Sequence, residues 1–341
     1  MKRIFILLAS MAIFATGCTE DMLNQFKDLI QKPSTEKNES EENEQESGVP
    51  TNQIWYTSAD GDIVVPGSSE DIDYDDFDMF NVNIVSNTYE DGKGIITFDG
   101  KVTTSGCASF ADCLNLASVA LPNSVTEIGE TSFFGCTSLK EITLPNSITD
   151  IRGEAFNGSG ITTITIPKSV QNIESGSFLG CFALTEFKGK YASKDGRYLI
   201  IDDSILAFAP AGITKVITPE DATTIGRMPF AYQDEITEVV VTDNITIIGE
   251  YAFLYCHKLA SVTLSKNLTE LRDGVFYGCD NLKEVYFRGV TPPSFEYAFD
   301  AIFEEVPEDC KFYVQMQSVN AYKAAAGDSK FANNIVGYDF E

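Results

Sequence analysis

Apolar residues return along this chain with a period close to 23. Phe110, Phe133, Phe156, Phe178, Phe230, Phe253, Phe276 and Phe299 mark it. Counted from each phenylalanine, an apolar residue follows at +6, as Leu116, Leu139, Leu184, Ile236, Leu259 and Leu282. A shortened third copy places it at +5, as Ile161. Others fall at +9 and +11, as in Val119/Leu121, Ile142/Leu144, Val239/Val241 and Val262/Leu264. This alternation of apolar and polar predicts one short, half-buried strand per copy. Pro122, Pro145 and Pro167 end the strand, as a residue without a backbone donor should. A second apolar site recurs at Ile128, Ile151, Ile173, Ile225, Ile248 and Leu271. Such a period predicts stacked coils around one continuous apolar spine, because no coil buries its apolar face alone. Nine coils, counting one at Phe299, give a rod of roughly 40 Å at ~4.8 Å per coil.

The interval from Phe178 to Phe230 breaks the period. Residues 213–219 nevertheless form a strand unit, which places a degenerate phenylalanine position at Ala207. Residues 189–204, GKYASKDGRYLIIDDS, then predict a small hairpin at the coil edge, either functional or a tolerated bulge. On the strand, positions +8 and +10 point outward. The first column runs Ser118, Glu141, Thr163, Glu186, Lys215, Glu238, Ser261, Glu284. The second runs Ala120, Thr143, Thr165, Lys188, Ile217, Val240, Thr263, Tyr286. Ile217, Val240 and Tyr286 are an apolar set, either a contact patch or neutral strand formers. With their neighbours, the candidate contact residues are Lys215, Ile217, Glu238, Val240, Glu284 and Tyr286.

The recurring Phe-x-x-Cys-x-x-Leu-x-x-Ile-x-Ile-Pro-x-x-Val-x-x-Ile-Gly pattern over residues 102–290 resembles the BspA-like branch of the leucine-rich repeat superfamily. The resemblance implies a mainly β solenoid of right-handed coils, one short strand per 23-residue repeat, with a small C-terminal strand-helix cap. NQIWYTSADGDIV and NVNIVSNTYEDGKGIITFDGKVTT are similar to the N-terminal lead-in of such proteins, and DCKFYVQMQSVNAYKAAAGDSKFANNIVG to their cap. Ser105 stands where the lead-in usually carries an apolar residue, which implies a loosely packed first coil. By resemblance the role is adhesion: binding a host matrix protein, a host-cell receptor or another bacterium through the strand face. The alternative is a glycan-binding component of a surface polysaccharide-uptake system. That alternative requires an exposed aromatic platform, for which Tyr286 alone qualifies. A passive spacer is a further reading.

Lys2 and Arg3 precede an apolar run over residues 4–14 that is too short to span a bilayer. The run ends Ala15-Thr16-Gly17-Cys18, which resembles a bacterial lipobox with Cys18 as the lipidated residue. An ordinary secretory signal with an incidental cysteine is the other reading. Glu20 and Asp21 resemble an export signal to the cell exterior. Residues 22–30 fit a short helix, and residues 31–50 hold six glutamates and no aromatic residue. Such a composition predicts a solvated tether. The expected segments are a signal peptide (1–17), a lipidated tether (18–50), a β lead-in (51–101), the solenoid (102–298) and the cap (299–341). The protein is thus expected on the outer membrane, lipid-anchored and exposed at the cell surface. A net charge of −27 and a pI near 4.3 argue against nucleic acid.

Candidate chemistry is sparse. Cys113, Cys136, Cys181, Cys256 and Cys279 share position +3. Their common register favours a column of buried thiols over disulfides, and no CxxC or histidine partner points to zinc. His257 is the only histidine and reads as a surface residue, so no catalytic triad assembles and no enzyme is expected. No cofactor or metal is expected either, since no GxGxxG or P-loop is present. Asp71, Asp73 and Asp75 have the spacing of calcium-loop ligands, but Asp76 and Val82 replace the required glycine and glutamate. Burial is expected for Trp55 and Tyr56 in the lead-in.

Overall fold

The structure is a computed structural model that describes residues 48–67 and 79–340. Cys18, the helix expected over 22–30, most of the tether and the acidic run 70–78 lie outside the described residues. The chain winds into a β-solenoid of about ten turns. Ten short strands form its strand face, from Leu116–Ala120 to Ile335–Tyr338. Their registers pair equivalent repeat positions: Ser118 with Glu141, Thr163 with Glu186, and Lys215, Glu238, Ser261, Glu284 and Lys311 in succession. One repeat of sequence is therefore one rung of ladder. Two-residue strands on the other side carry the second apolar site, as in Ile128, Ile151 and Ile173. The tenth rung comes from the cap, where Lys311–Gln315 and Ile335–Tyr338 continue the sheet in parallel and Val319–Ala326 forms the connecting helix.

At the other end Gln53–Ser58 pairs antiparallel with Leu116–Ala120, followed outward by Lys93–Phe98 and Ile84–Glu90. This added strand sets Trp55 opposite Ala120 and leaves Ala120 only 1% exposed, although its repeat position points outward. Tyr56 is buried as expected, whereas Trp55 is half-buried with the Lys93 ammonium 3.3 Å above its ring. Ser105 is fully buried and not loosely packed: its hydroxyl meets that of Ser132 at 2.8 Å, and the Gly129 N–H donates to it at 3.3 Å. A hydroxyl takes the apolar slot because polar partners line that slot too.

The phenylalanines stack. Phe110, Phe133, Phe156 and Phe178 lie 5.4 Å apart in nearly parallel planes. Phe230, Phe253 and Phe276 repeat this at 4.8 and 5.5 Å. The next ring is Phe303, not Phe299, at 5.4 Å from Phe276. The short helix Phe299–Ile302 delays the column by one turn, and Phe299 packs edge-on against Phe312 instead. Backbone bonds agree: Phe253 N–H donates to Val275 O, and Phe276 N–H donates to Ile302 O.

Beside the rings runs the thiol column. Cys136, Cys181, Cys256 and Cys279 donate to the carbonyls of Phe110, Phe156, Phe230 and Phe253 at 2.9 to 3.1 Å. Each thiol thus binds the backbone of the coil before it, and none of the described cysteines forms a disulfide.

The stack breaks at the insertion. Its hairpin pairs Tyr198–Ile201 with Ser204–Phe208, so its second strand lies mostly beyond residue 204. Ile205 continues the second apolar column by pairing with Ile225. Phe208, one residue past the position expected at Ala207, supplies the ring, tilted 49° and 5.1 Å from Phe230. Strand Glu186–Gly189 ends one sheet and Lys215–Ile217 begins the next. The core accordingly forms two clusters rather than one spine. Leu199 and Ala207 pack with the N-terminal coils, while Tyr198 and Phe208 pack with the C-terminal ones.

Burial pushes the Cys181 and Cys256 thiols up to about 12, against ~8.5 in an unfolded chain. A raised folded value means that this stabilisation is complete below ~8.5 and fades as pH climbs through the folded value. The denaturation midpoint is therefore expected to hold steady from roughly pH 7 to 8.5 and to fall above roughly pH 9. At neutral pH an aromatic disulfide reagent should leave the column thiols unmodified in the native chain and label them in denaturant. Equal labelling rates in both states would contradict the buried column.

Candidate functional site

The outward positions of the strand face form two parallel columns because the ladder registers hold them in line. In the first, Lys215 and Glu238 form an ion pair at 2.7 Å, both side chains nearly half exposed. Glu284 accepts the Tyr286 hydroxyl at 3.0 Å. In the second, Ile217 is 54% exposed and pairs directly with half-buried Val240. Thr263 separates Val240 from Tyr286. All six predicted residues thus share one stretch of the face, on four adjacent rungs.

The structure adds residues to this set. Tyr313 pairs with Tyr286 across the next rung, and their rings stack at 4.7 Å with a 16° angle. Tyr338 lies edge-on to both, at 5.5 and 5.4 Å, and Phe340 lies 4.8 Å from Tyr338. Burial and the Glu284 carboxylate push the Tyr286 hydroxyl up to about 12. A four-ring cluster therefore closes the C-terminal end of the face, where sequence reasoning found only Tyr286. The missing signal was the ring register. Counted from Phe303, Tyr313 is position +10 and Lys311 is position +8; counting from Phe299 hides both.

Charge on this face is nearly balanced. Its two columns hold four carboxylates (Glu141, Glu186, Glu238, Glu284) and three ammonium groups (Lys188, Lys215, Lys311). The whole chain carries 51 acidic residues against 24 basic ones. The strand face is thus a region of low net charge on a strongly acidic molecule.

Elsewhere, His257 is exposed with its ring nitrogen 3.5 Å from the Asp280 carboxylate, while adjacent Cys256 is buried. Among the described residues, no three His, Cys, Asp or Glu side chains converge as a metal site. No helix among them is long and apolar enough to cross a membrane.

The BspA type leucine-rich repeat region matches residues 96–194 and 201–308, in six copies. The chain belongs to the BspA-type leucine-rich repeat family. Comparison with curated proteins gave no match. Among solved structures, this BspA-type chain is similar to a leucine-rich cell surface protein from Faecalibacterium prausnitzii, with 24% identity and a TM-score of 0.47. That match covers 67% of this chain and 64% of the other, so the chain spans a little under two thirds of that relative. A leucine-rich repeat protein from Bacteroides ovatus matches at 22% identity and a TM-score of 0.36, over 70% of this chain and 72% of its own. The pneumococcal vaccine antigen PcpA matches at 20% identity and 0.43, over 60% and 64%.

The Lys215–Glu238 pair is solvated, so its contribution to folding is small. Replacing either residue by alanine is expected to change unfolding free energy by less than about 0.5 kcal/mol. Urea titration measures this. A loss above about 2 kcal/mol would show that the pair is structural rather than available to a partner.

Proposed function

We propose that this chain is a cell-surface protein that binds a macromolecular partner, most directly another protein, through its strand face. The observation that carries this reading is the coincidence, on one flat face, of an apolar and aromatic run with nearly balanced charge. Solenoids present extended surfaces of this kind to partners. Partly exposed tyrosines next to aliphatic residues are the composition of protein contact centres. The acidic excess of the chain, −27 in total, repels other acidic surfaces and leaves this nearly balanced face as the route of approach. A host matrix protein, a host-cell receptor or a protein on another bacterium fits this chemistry. Anchoring through Cys18 would place the coils beyond the outer membrane at the end of a charged tether.

The four-ring cluster gives the glycan reading its own support. Its geometry favours protein all the same. Tyr286 and Tyr313 stack face to face and so cover one surface of each ring, and the Tyr286 hydroxyl is already held by Glu284.

Two experiments test this. The full chain is applied to parallel arrays of matrix proteins and of glycans, beside a variant with Ile217, Val240 and Tyr286 all replaced by serine. Binding to proteins, weakened at least roughly tenfold in the variant, is the expected result; binding to glycans alone, or unchanged affinity, would overturn the assignment. Growth with labelled palmitate is expected to label the wild type and not Cys18→Ala. Equal label in both would remove the anchor.

A further inference from the structure

A cleft lies where the insertion breaks the stack. It measures about 300 Å³, within the size range of small-ligand sites, and Phe182, Pro210, Ile213, Tyr232, Gln233 and Asp234 line it. The cleft exists because the ladder stops. The Ala211 N–H donates to Leu184 O there, whereas an unbroken coil pairs strand with strand. The family match also lapses between residues 194 and 201, inside this insertion.

Two features of the lining suit a ligand. Phe182 is 57% exposed and Tyr232 40% exposed, so two aromatic side chains reach solvent at one cleft. Tyr232 stands at a repeat position that is left-handed throughout, filled by Asp112, Tyr255 and Glu305 as well as by glycine, and its ring lies 5.6 Å from that of Tyr255. Gln233 is the second feature. It occupies the slot of the column thiols, is 95% buried (5% exposed), and lines the cleft. Where the thiols hold a phenylalanine carbonyl near 3 Å, the Gln233 amide reaches only Ala231 O, at 3.5 Å. A buried amide so weakly bonded is available to an incoming group.

We propose that this cleft binds a neutral saccharide residue. The lining selects for one. An anion would meet Asp234, Glu235 and the acidic field of the whole chain. A pure hydrocarbon would leave the Gln233 amide without a partner. A cationic side chain would find Glu235 already paired with Lys258 at 2.7 Å. A pyranose ring offers a C–H face to Phe182 and Tyr232 and hydroxyls to the Gln233 amide and the Asp234 carboxylate. None of the six strand-face residues lines this cleft, and the proposal goes beyond the function proposed above.

Saturation-transfer NMR on the full chain, with methyl glycosides of glucose, galactose, mannose and N-acetylglucosamine, tests it. At least one glycoside is expected to receive saturation at its ring C–H protons. Phe182→Ala and Gln233→Cys are each expected to weaken that binding roughly tenfold or more. Gln233→Cys restores the residue of the other coils, so it removes the amide while keeping the repeat, and circular dichroism confirms its fold. The triple serine variant of the strand face should bind the glycoside like wild type. Absence of transfer to every glycoside, equal transfer in both cleft variants, or loss of signal in the strand-face variant would overturn the proposal. So would a stronger signal from Nα-acetyl-lysine amide than from any glycoside.

Discussion

Each coil of this protein can bury its apolar face only against the coils above and below it. Everything else follows from that restriction. Equivalent residues must lie in line at the spacing of hydrogen-bonded strands, and a planar ring fits that spacing better than a branched side chain. Phe133 and Phe156 therefore stack 5.4 Å apart with planes 5° from parallel. The same alignment puts the Cys136 thiol within reach of the Phe110 carbonyl, which also accepts the Cys113 N–H. Rings and thiols are two columns of one ladder.

The restriction also fixes where specificity can sit. Inward positions are bound to the period, since a change in one coil is felt by two neighbours. Outward positions are not. The second column can run from Thr165 to Ile217 to Tyr286 without disturbing a rung. A break in the period is the other source of variety. Where the hairpin enters, no coil directly repeats the one before it, and a glutamine can occupy the thiol slot. The strand face and the cleft arise from these two freedoms.

Much of this was legible in the sequence because the period is a direct image of the ladder. The outward columns from Lys215 to Glu284 and from Ile217 to Tyr286 fell on neighbouring rungs as their spacing required. What was not legible lies where the period changes. Phe299 keeps the spacing but a helical turn hands the column to Phe303, and with that shift Tyr313 vanished from the predicted face. Phe208 stands next to the expected Ala207 because the hairpin strand itself joins the coil. Ser105 and Ala120 differ for another reason. Each is governed by a residue distant in sequence, Ser132 in one case and Trp55 in the other, and a local pattern carries no trace of either.

Charge completes the picture. At physiological ionic strength the field of an acidic surface decays within about 8 Å, so a net charge of −27 acts as a short-range screen rather than a distant signal. A partner that reaches the strand face meets ion pairs already closed within it, such as Lys215 with Glu238 and Lys188 with Glu186. Closed pairs give little affinity and little repulsion. Under the function proposed above, attraction would come from surface that water leaves readily, and on this face that is Ile217, Val240 and the tyrosines. An acidic exterior with a neutral, aromatic-ended ribbon thus selects against most contacts while leaving one face open to apolar association.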